Sequence, residues 1–262
     1  MRRIIDNSFK AIFIKEEARR EHSVALSIII PVHDEAETIK GLRDEINDIM
    51  EEQSLSWECI WVDDGSSDQS LSVIQELCDE DTHHRYLAFE HNAGLSAALW
   101  AGFRASMGTL LVIFDSDSQS DPSHILHVVR ILNDQSVDMV SGYYCTPKDT
   151  MVKKLASKIS PQLSNWIAGR AIRAGGCSIR VFKKECIRSL PLFAGMHKFL
   201  SYLVAMQGYR VMEVPVAHRI CSQWKTKFRY RANRRGWFGI IDVLGIFWLK
   251  KRSFHYKIIR KS

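Results

Sequence analysis

Short apolar runs recur through the first half of the chain, and each is followed by a polar turn and a stretch with apolar residues three and four apart. This alternation of buried strand and amphipathic helix predicts an α/β domain with an open sheet. "VALSIIIPV", from Val24, reads as a buried strand stopped near Pro31. His33 to Glu37 turns into a helix carrying Ile39, Leu42, Ile46 and Ile49. "WECIWV" is a second strand that delivers Asp63 and Asp64, and "DDGSSDQS" turns at Gly65 into a helix with Leu71, Ile74 and Leu77 on its apolar side. A third strand runs from Tyr86 to Phe89, and a small-residue helix follows Gly94. Thr109 to Phe114 is a central strand, a helix spans about Pro122 to Asn133, and "VDMVSGYY" is a further strand.

After Tyr144 the alternation weakens. Residues 151–172 can form a helix interrupted at Pro161, and "GGCSIRVFKKE" reads as a tight approach and a strand. "HKFLSYLVAMQGY" is a helix closed by Gly208, and "RVMEVPVAHR" an outer strand near the site. Residues 1–22 place Ile4, Ile5, Phe9, Ile12 and Phe13 at roughly helical spacing. A docking arm, a weak membrane contact and a frayed extension all suit that pattern. The expected division is an amphipathic arm (1–22), a main domain (23–230, with halves 23–145 and 146–230) and a basic amphipathic extension (231–262).

Composition narrows the class. The 262 residues are 46% hydrophobic, which excludes a mainly disordered chain, and the formal net charge of +6 is unevenly placed. From Lys225 to Lys261 the only acid is Asp242, whereas Glu35 to Glu90 is acid-rich. A basic end joined to aromatic residues suits an anionic membrane surface, and no nucleic-acid recognition motif accompanies the charge. The six cysteines lack CxxC spacing and read as reduced core thiols of a cytosolic protein. The N-terminus lacks the layout of a signal peptide, and no apolar run reaches about 18 residues, so any membrane association is expected to be peripheral.

Acidic or polar residues follow successive strands at the same edge, the ligand edge of an open α/β sheet. The sharpest cluster is "FDSDSQSDP", where Asp115 and Asp117 leave a buried strand. An acid, a spacer and an acid in extended chain point to one side and can share a hard divalent cation, which is useful against phosphates. An acidic turn closed by Pro122 is the plainer reading. The amides after Gly94 offer a second phosphate contact.

Taken in order, "SIIIPVHDEAETI", "VDDGSSDQS", "HNAGLSAALWAGF", "DSDSQSDP", "GCSIRVFKKE", "MHKFLSYLVAMQGYRVMEVPVAHR" and "KTKF" resemble glycosyltransferase family 2 of the GT-A fold. The likeness is greatest to the branch that transfers sugars to polyprenyl or dolichyl phosphate, in a compact form without paired transmembrane helices. The resemblance implies a Rossmann-like open mixed sheet flanked by helices, with a basic C-terminal helical extension.

It also implies inverting, metal-assisted transfer from a UDP- or GDP-sugar to a polyprenyl phosphate at the cytosolic face of a membrane. Pro31, Val32 and Glu35 would line the nucleotide pocket, Asp63 would recognise the base or ribose, Asp64 with Gly65 would shape its turn, and Asn92 and Gly94 would lie beneath the diphosphate. Asp115 and Asp117, with Gln119, would hold Mg²⁺ or Mn²⁺, and Ser116 between them would belong to the donor site. Arg180, His218, Arg219, Lys225 and Lys227 would grip phosphate, and His197 would orient an acceptor oxygen. Asp117, Arg180 and Arg219 are the expected catalytic residues.

Glu35 and Asp68 suit helix capping equally well, and Asp64 an Asx turn. The chain departs from the family pattern at Ala174, where an acid is usual, and at Tyr143 and Tyr144, where an arginine is usual. The missing acid favours an acceptor that is already anionic, because a phosphate monoester needs no general base, or else it signals altered or reduced activity.

Overall fold

The computed structural model describes residues 11–12, 24–116, 121–144, 179–216 and 245. They build one mixed sheet of eight strands: β1 (Ala11–Ile12), β2 (Leu26–Val32), β3 (Trp57–Asp63), β4 (His84–Phe89), β5 (Leu110–Phe114), β6 (Met139–Tyr144), β7 (Ile179–Lys183) and β8 (Val211–Val216). The spatial order is β1-β4-β3-β2-β5-β7-β6-β8. Strands β4, β3, β2 and β5 run parallel, whereas β7 is antiparallel to both β5 and β6.

The helices are α1 (Ala36–Glu51), α2 (Ser70–Glu80), α3 (Leu95–Ala105), α4 (His124–Asp134) and α5 (Leu200–Met206). Strand period sorts the core into two layers. Ile28, Ile30, Trp61, Val112 and Phe114 pack with α1, α2 and α4. Ile29, Ile60, Val62, Leu111 and Ile113 pack with α3 and α5. Helices on both faces explain why β2 and β3 are buried along their whole length.

Gly102 lets α3 lie close on the sheet, since a Cβ there would meet Ile29 Cγ2 at 2.4 Å. The chain winds outward from β2 through β3 to β4, then returns across β2 to β5. The topological switch point therefore lies between the C-terminal ends of β2 and β5.

Several expectations shift. Strand β2 continues through Pro31, which pairs with Val62 on one side, while pairing to β5 ends at Ile29. Pro31 lacks a backbone donor where β5 has already ended, so no ladder bond is lost. Met50 rather than Ile49 completes the buried side of α1. Leu71 is only partly buried, and Ser70 takes the inward position at the start of α2.

The segment read as one helix from His197 begins as a 3-10 turn (Met196–Phe199) before α5, and Gly208 follows with φ of 90°. Ile12, expected on a helical face, pairs as a strand with Ala88, on the side of β4 that would otherwise be an open edge. The helix expected over 151–172 and almost all of the C-terminal extension lie outside the described residues. Among the described residues, no helix is long and apolar enough to cross a membrane, and Cys59, Cys78 and Cys186 are free thiols.

Candidate active site

The ends of β2, β3 and β5 meet at the switch point through a serine. Ser116 donates its hydroxyl to the carbonyl of Pro31 at 2.9 Å and also contacts the carboxylate of Glu35. Ser116 is buried, so the middle residue of "DSD" turns back into the protein. Glu35 accordingly leaves the N-terminus of α1 without a side-chain cap. Its own backbone N–H donates to Ser70 Oγ at 2.8 Å.

Asp68 does the capping instead. One oxygen accepts from the amide of Ser70 at 2.8 Å and the other from Ala36 at 3.3 Å, so one carboxylate serves the starts of α2 and α1. Burial works against its charge, yet the Ser70 bonds outweigh it and hold its pKa low. Asp34, with φ of 55°, accepts from the amide of Ser67 at 2.7 Å and carries a lowered pKa, chiefly through that bond. These crossed bonds lock the two loops after β2 and β3 against one another.

The acid pair at the end of β3 divides. Asp63 is 1% exposed. One of its oxygens accepts from Ser66 N–H at 3.2 Å, and the other, Oδ1, is buried without a hydrogen-bond partner. Burial pushes its carboxyl pKa up. Asp64 reaches across to the loop before α3 and accepts from Ala93 at 2.7 Å and from Gly94 at 2.9 and 3.1 Å. Burial raises its pKa too, opposed by those amides.

The engaged amides, those of Ala93 and Gly94, lie just ahead of the ones after Gly94 that are expected to meet a phosphate. Asn92 donates to His33 Nε2 at 3.2 Å, and its backbone lies against Gly65. At Gly65, with φ of 65°, an added Cβ would lie 2.5 Å from the carbonyl carbon of His91.

On the other side of α3, Ser96 joins the two halves of the domain. Its Oγ lies 2.8 Å from His197 Nδ1 and accepts from Gly195 N–H at 3.0 Å. Burial, aided by Arg180 and Lys198, pushes the His197 pKa down to about 4. His197 is therefore neutral at physiological pH, with its Nδ1 hydrogen-bonded to the Ser96 hydroxyl. Arg180, 7% exposed, donates through Nη1 to the carbonyl of His197 at 2.8 Å. One N–H of the guanidinium expected to grip phosphate thus holds the backbone of the 195–199 turn.

Asp115 follows β5 at the same edge as Glu35 and Asp63. Asp117, Gln119, His218, Arg219, Lys225, Lys227 and Ala174 lie outside the described residues. Among the described residues, no group of three or more His, Cys, Asp or Glu is assembled to hold a metal. Asp115 supplies the hard carboxylate oxygen that Mg²⁺ or Mn²⁺ takes, so the donor chemistry present fits such an ion. The sequence had not singled out Ser96, Asp34 or Ser66, because single serines and turn acids carry no periodic signal.

With this geometry, residues 27–258 match the family described as glycosyl transferase family 2. The chain belongs to glycosyl transferase family 2. Membership assigns the enzyme class, glycosyl transfer, and leaves donor and acceptor to be argued from the site. A dodecaprenyl-phosphate galacturonate synthase from Rhizobium johnstonii is 27% identical over 238 residues, covering 89% of this chain and 70% of that protein. An undecaprenyl-phosphate 4-deoxy-4-formamido-L-arabinose transferase from Salmonella choleraesuis is 30% identical over 194 residues, but the matched part spans only 59% of its length.

Among solved structures, a mannosyl-3-phosphoglycerate synthase from Rubrobacter xylanophilus superposes with a TM-score of 0.63 at 18% identity, covering 91% of this chain and 77% of that one. A mannosyltransferase from Pyrobaculum calidifontis, solved with GDP-Man and Mn²⁺, gives 0.57 at 19% identity, covering 90% and 67%. These likenesses show a shared fold, and the mixed sheet of this family 2 chain is consistent with the GT-A arrangement.

Proposed function

We propose that the chain moves a sugar from a UDP- or GDP-sugar to a polyprenyl phosphate at the cytosolic face of a membrane, with inversion at the anomeric carbon. The observation that carries this reading is the meeting of Glu35, Asp63 and the Asp115–Ser116 turn at the switch point. Asp63 Oδ1, buried and unpartnered, would accept from the base or ribose of the donor. Glu35, Pro31 and Val32 line the same pocket, and Asp64, Asn92 and Gly94 shape the loop beside it.

Asp115 and Asp117, with Gln119, would hold Mg²⁺ or Mn²⁺, which when bound offsets charge on the departing diphosphate. A phosphate oxygen of the acceptor attacks the anomeric carbon, and the bond to the nucleoside diphosphate breaks with its electron pair leaving on the diphosphate. No proton need leave this acceptor, which accords with Ala174 standing where an acid is usual. Arg219, Lys225 and Lys227 would engage the acceptor phosphate as donors. Arg180 and His197 set the turn beneath it. The names of the Rhizobium and Salmonella relatives support the acceptor class.

The test is incubation of the chain with purified membranes and a panel of labelled UDP- and GDP-sugars, with products identified by mass. Sugar on a polyprenyl phosphate is expected. Transfer solely to a hydroxyl acceptor would defeat the acceptor assignment, and donor binding without transfer or hydrolysis would mark a binding homologue. Asp117→Asn should abolish most metal-dependent turnover while leaving the melting temperature unchanged. Arg219→Ala should raise the acceptor KM more than the donor KM.

A further inference from the structure

A groove of about 760 Å³ opens at the opposite end of α3 from the site, lined by Trp100, Phe103 and Ile187 and rimmed by Arg104, Lys184 and Arg188, with one exposed acid, Glu185, among them. Helix α3 runs Leu95–Ala105, so Arg104 at the groove lies about 12 Å along its axis from Ser96. Lys184 donates to the carbonyl of Ser106. Arg104 and Arg188 are exposed and make no ion pair with a described residue.

Met107 in the groove lining is 50% exposed, and Leu192, four residues beyond Arg188, is 46% exposed. They are the exposed large hydrophobics among the described residues. Trp100 and Arg104 stand one helical turn apart on α3, whose only charge is Arg104. An indole, long cationic side chains and exposed thioether and aliphatic groups match the boundary of a bilayer, where cations meet phosphates and apolar tips enter the acyl region.

We propose that this groove and its rim form a membrane-docking face for anionic phospholipid, with Arg104 and Arg188 on the headgroup phosphates and Met107 below them. The inference rests on the proposed membrane-borne acceptor and deepens it. Nothing is required of the basic C-terminal residues for this contact.

The full chain is sedimented with vesicles of phosphatidylcholine alone and with 30% phosphatidylglycerol. Arg104→Ala/Arg188→Ala is expected to weaken partition onto the anionic vesicles roughly 20- to 30-fold. Lys40→Ala, which removes an exposed cation on α1, should change it less than twofold. Brominated acyl chains should quench wild-type tryptophan fluorescence more than that of Trp100→Phe. Unchanged partition in the double variant, or quenching indifferent to Trp100, overturns the proposal. So does partition that survives while binding of a poly-glutamate peptide is lost, which would assign the groove to an acidic protein segment.

The double variant should retain wild-type turnover on acceptor dispersed in detergent. If the wild type transfers no sugar yet docks through these arginines, the proposed function fails and the docking face stands.

Discussion

Asp63 and Asp64 leave β3 side by side, and the pleat of an extended chain turns them to different partners. Asp63 keeps a buried oxygen without a donor, which lowers the stability of its charged form in the free protein and suits it to a ligand. Asp63→Asn should weaken nucleotide binding roughly 10- to 100-fold, the loss of a hydrogen bond to a charged group. It should leave unfolding free energy at pH 7 equal or higher, because a costly buried charge is removed. Calorimetric titration with UDP and GDP, alongside urea melts, measures both.

Asp64 predicts the reverse pattern. Asp64→Ala strands the amides of Ala93 and Gly94 and should cost about 2–3 kcal/mol of stability. Gly65→Ala should cost a similar ~2–3 kcal/mol, since its φ is positive and the Cβ would meet the backbone of His91. An unchanged urea midpoint in either would show that the loops can part without penalty. Sequence pattern located these acids at a strand end, and the family resemblance set Asp63 on the base or ribose and Asp64 on the turn. That division depends on the loop before α3, some thirty positions away.

At the scale of elements, the strands that position the donor side were legible because they are buried on both faces and written as continuous apolar runs. The ends were less so. Ser70 and Met50 face inward by the phase of their helices, which a list of hydrophobic residues does not reveal. The 3-10 turn at Met196 was missed because Gly195, with φ of 92°, and the Arg180 contact set it tertiarily. Gly102 shows an element-level constraint that one residue enforces. Gly102→Ala improves helix propensity yet forces a methyl into Ile29, so the net effect should be destabilising by about 1–3 kcal/mol. A rise in thermal midpoint would instead mean that α3 can lift from the sheet.

Across the molecule, acid should loosen the fold through its buried imidazoles. His84 has a fully buried side chain, accepts from Trp61 Nε1 at 3.0 Å through Nδ1 and sits 2.9 Å from Asn47 Oδ1. Burial pushes its pKa down to about 4. The unfolded chain takes up this proton near the ordinary value of about 6.5, whereas the folded chain resists it. Stability is therefore fully present above that value and falls as pH drops from about 6.5 to 4, by roughly 3 kcal/mol for this one group. His197 adds loss in the same window. Urea unfolding at pH 7 and 4.5 should show the difference, and His84→Asn should flatten it; a parallel slope in that variant would locate the loss elsewhere.

The place of β7 has a consequence for how the protein is made. A ribosome releases β5 and β6 well before Ile179–Lys183, yet among the described strands β6 pairs with β7 and β8 alone, and β5 borders β7 on its outer side. Until β7 is synthesised, Leu110–Phe114 presents an unclosed apolar edge and Met139–Tyr144 has no ladder to join. The nascent chain thus carries a sticky seam through the synthesis of some forty residues, and a chain cut at residue 145 should aggregate where the uncut one stays dispersed.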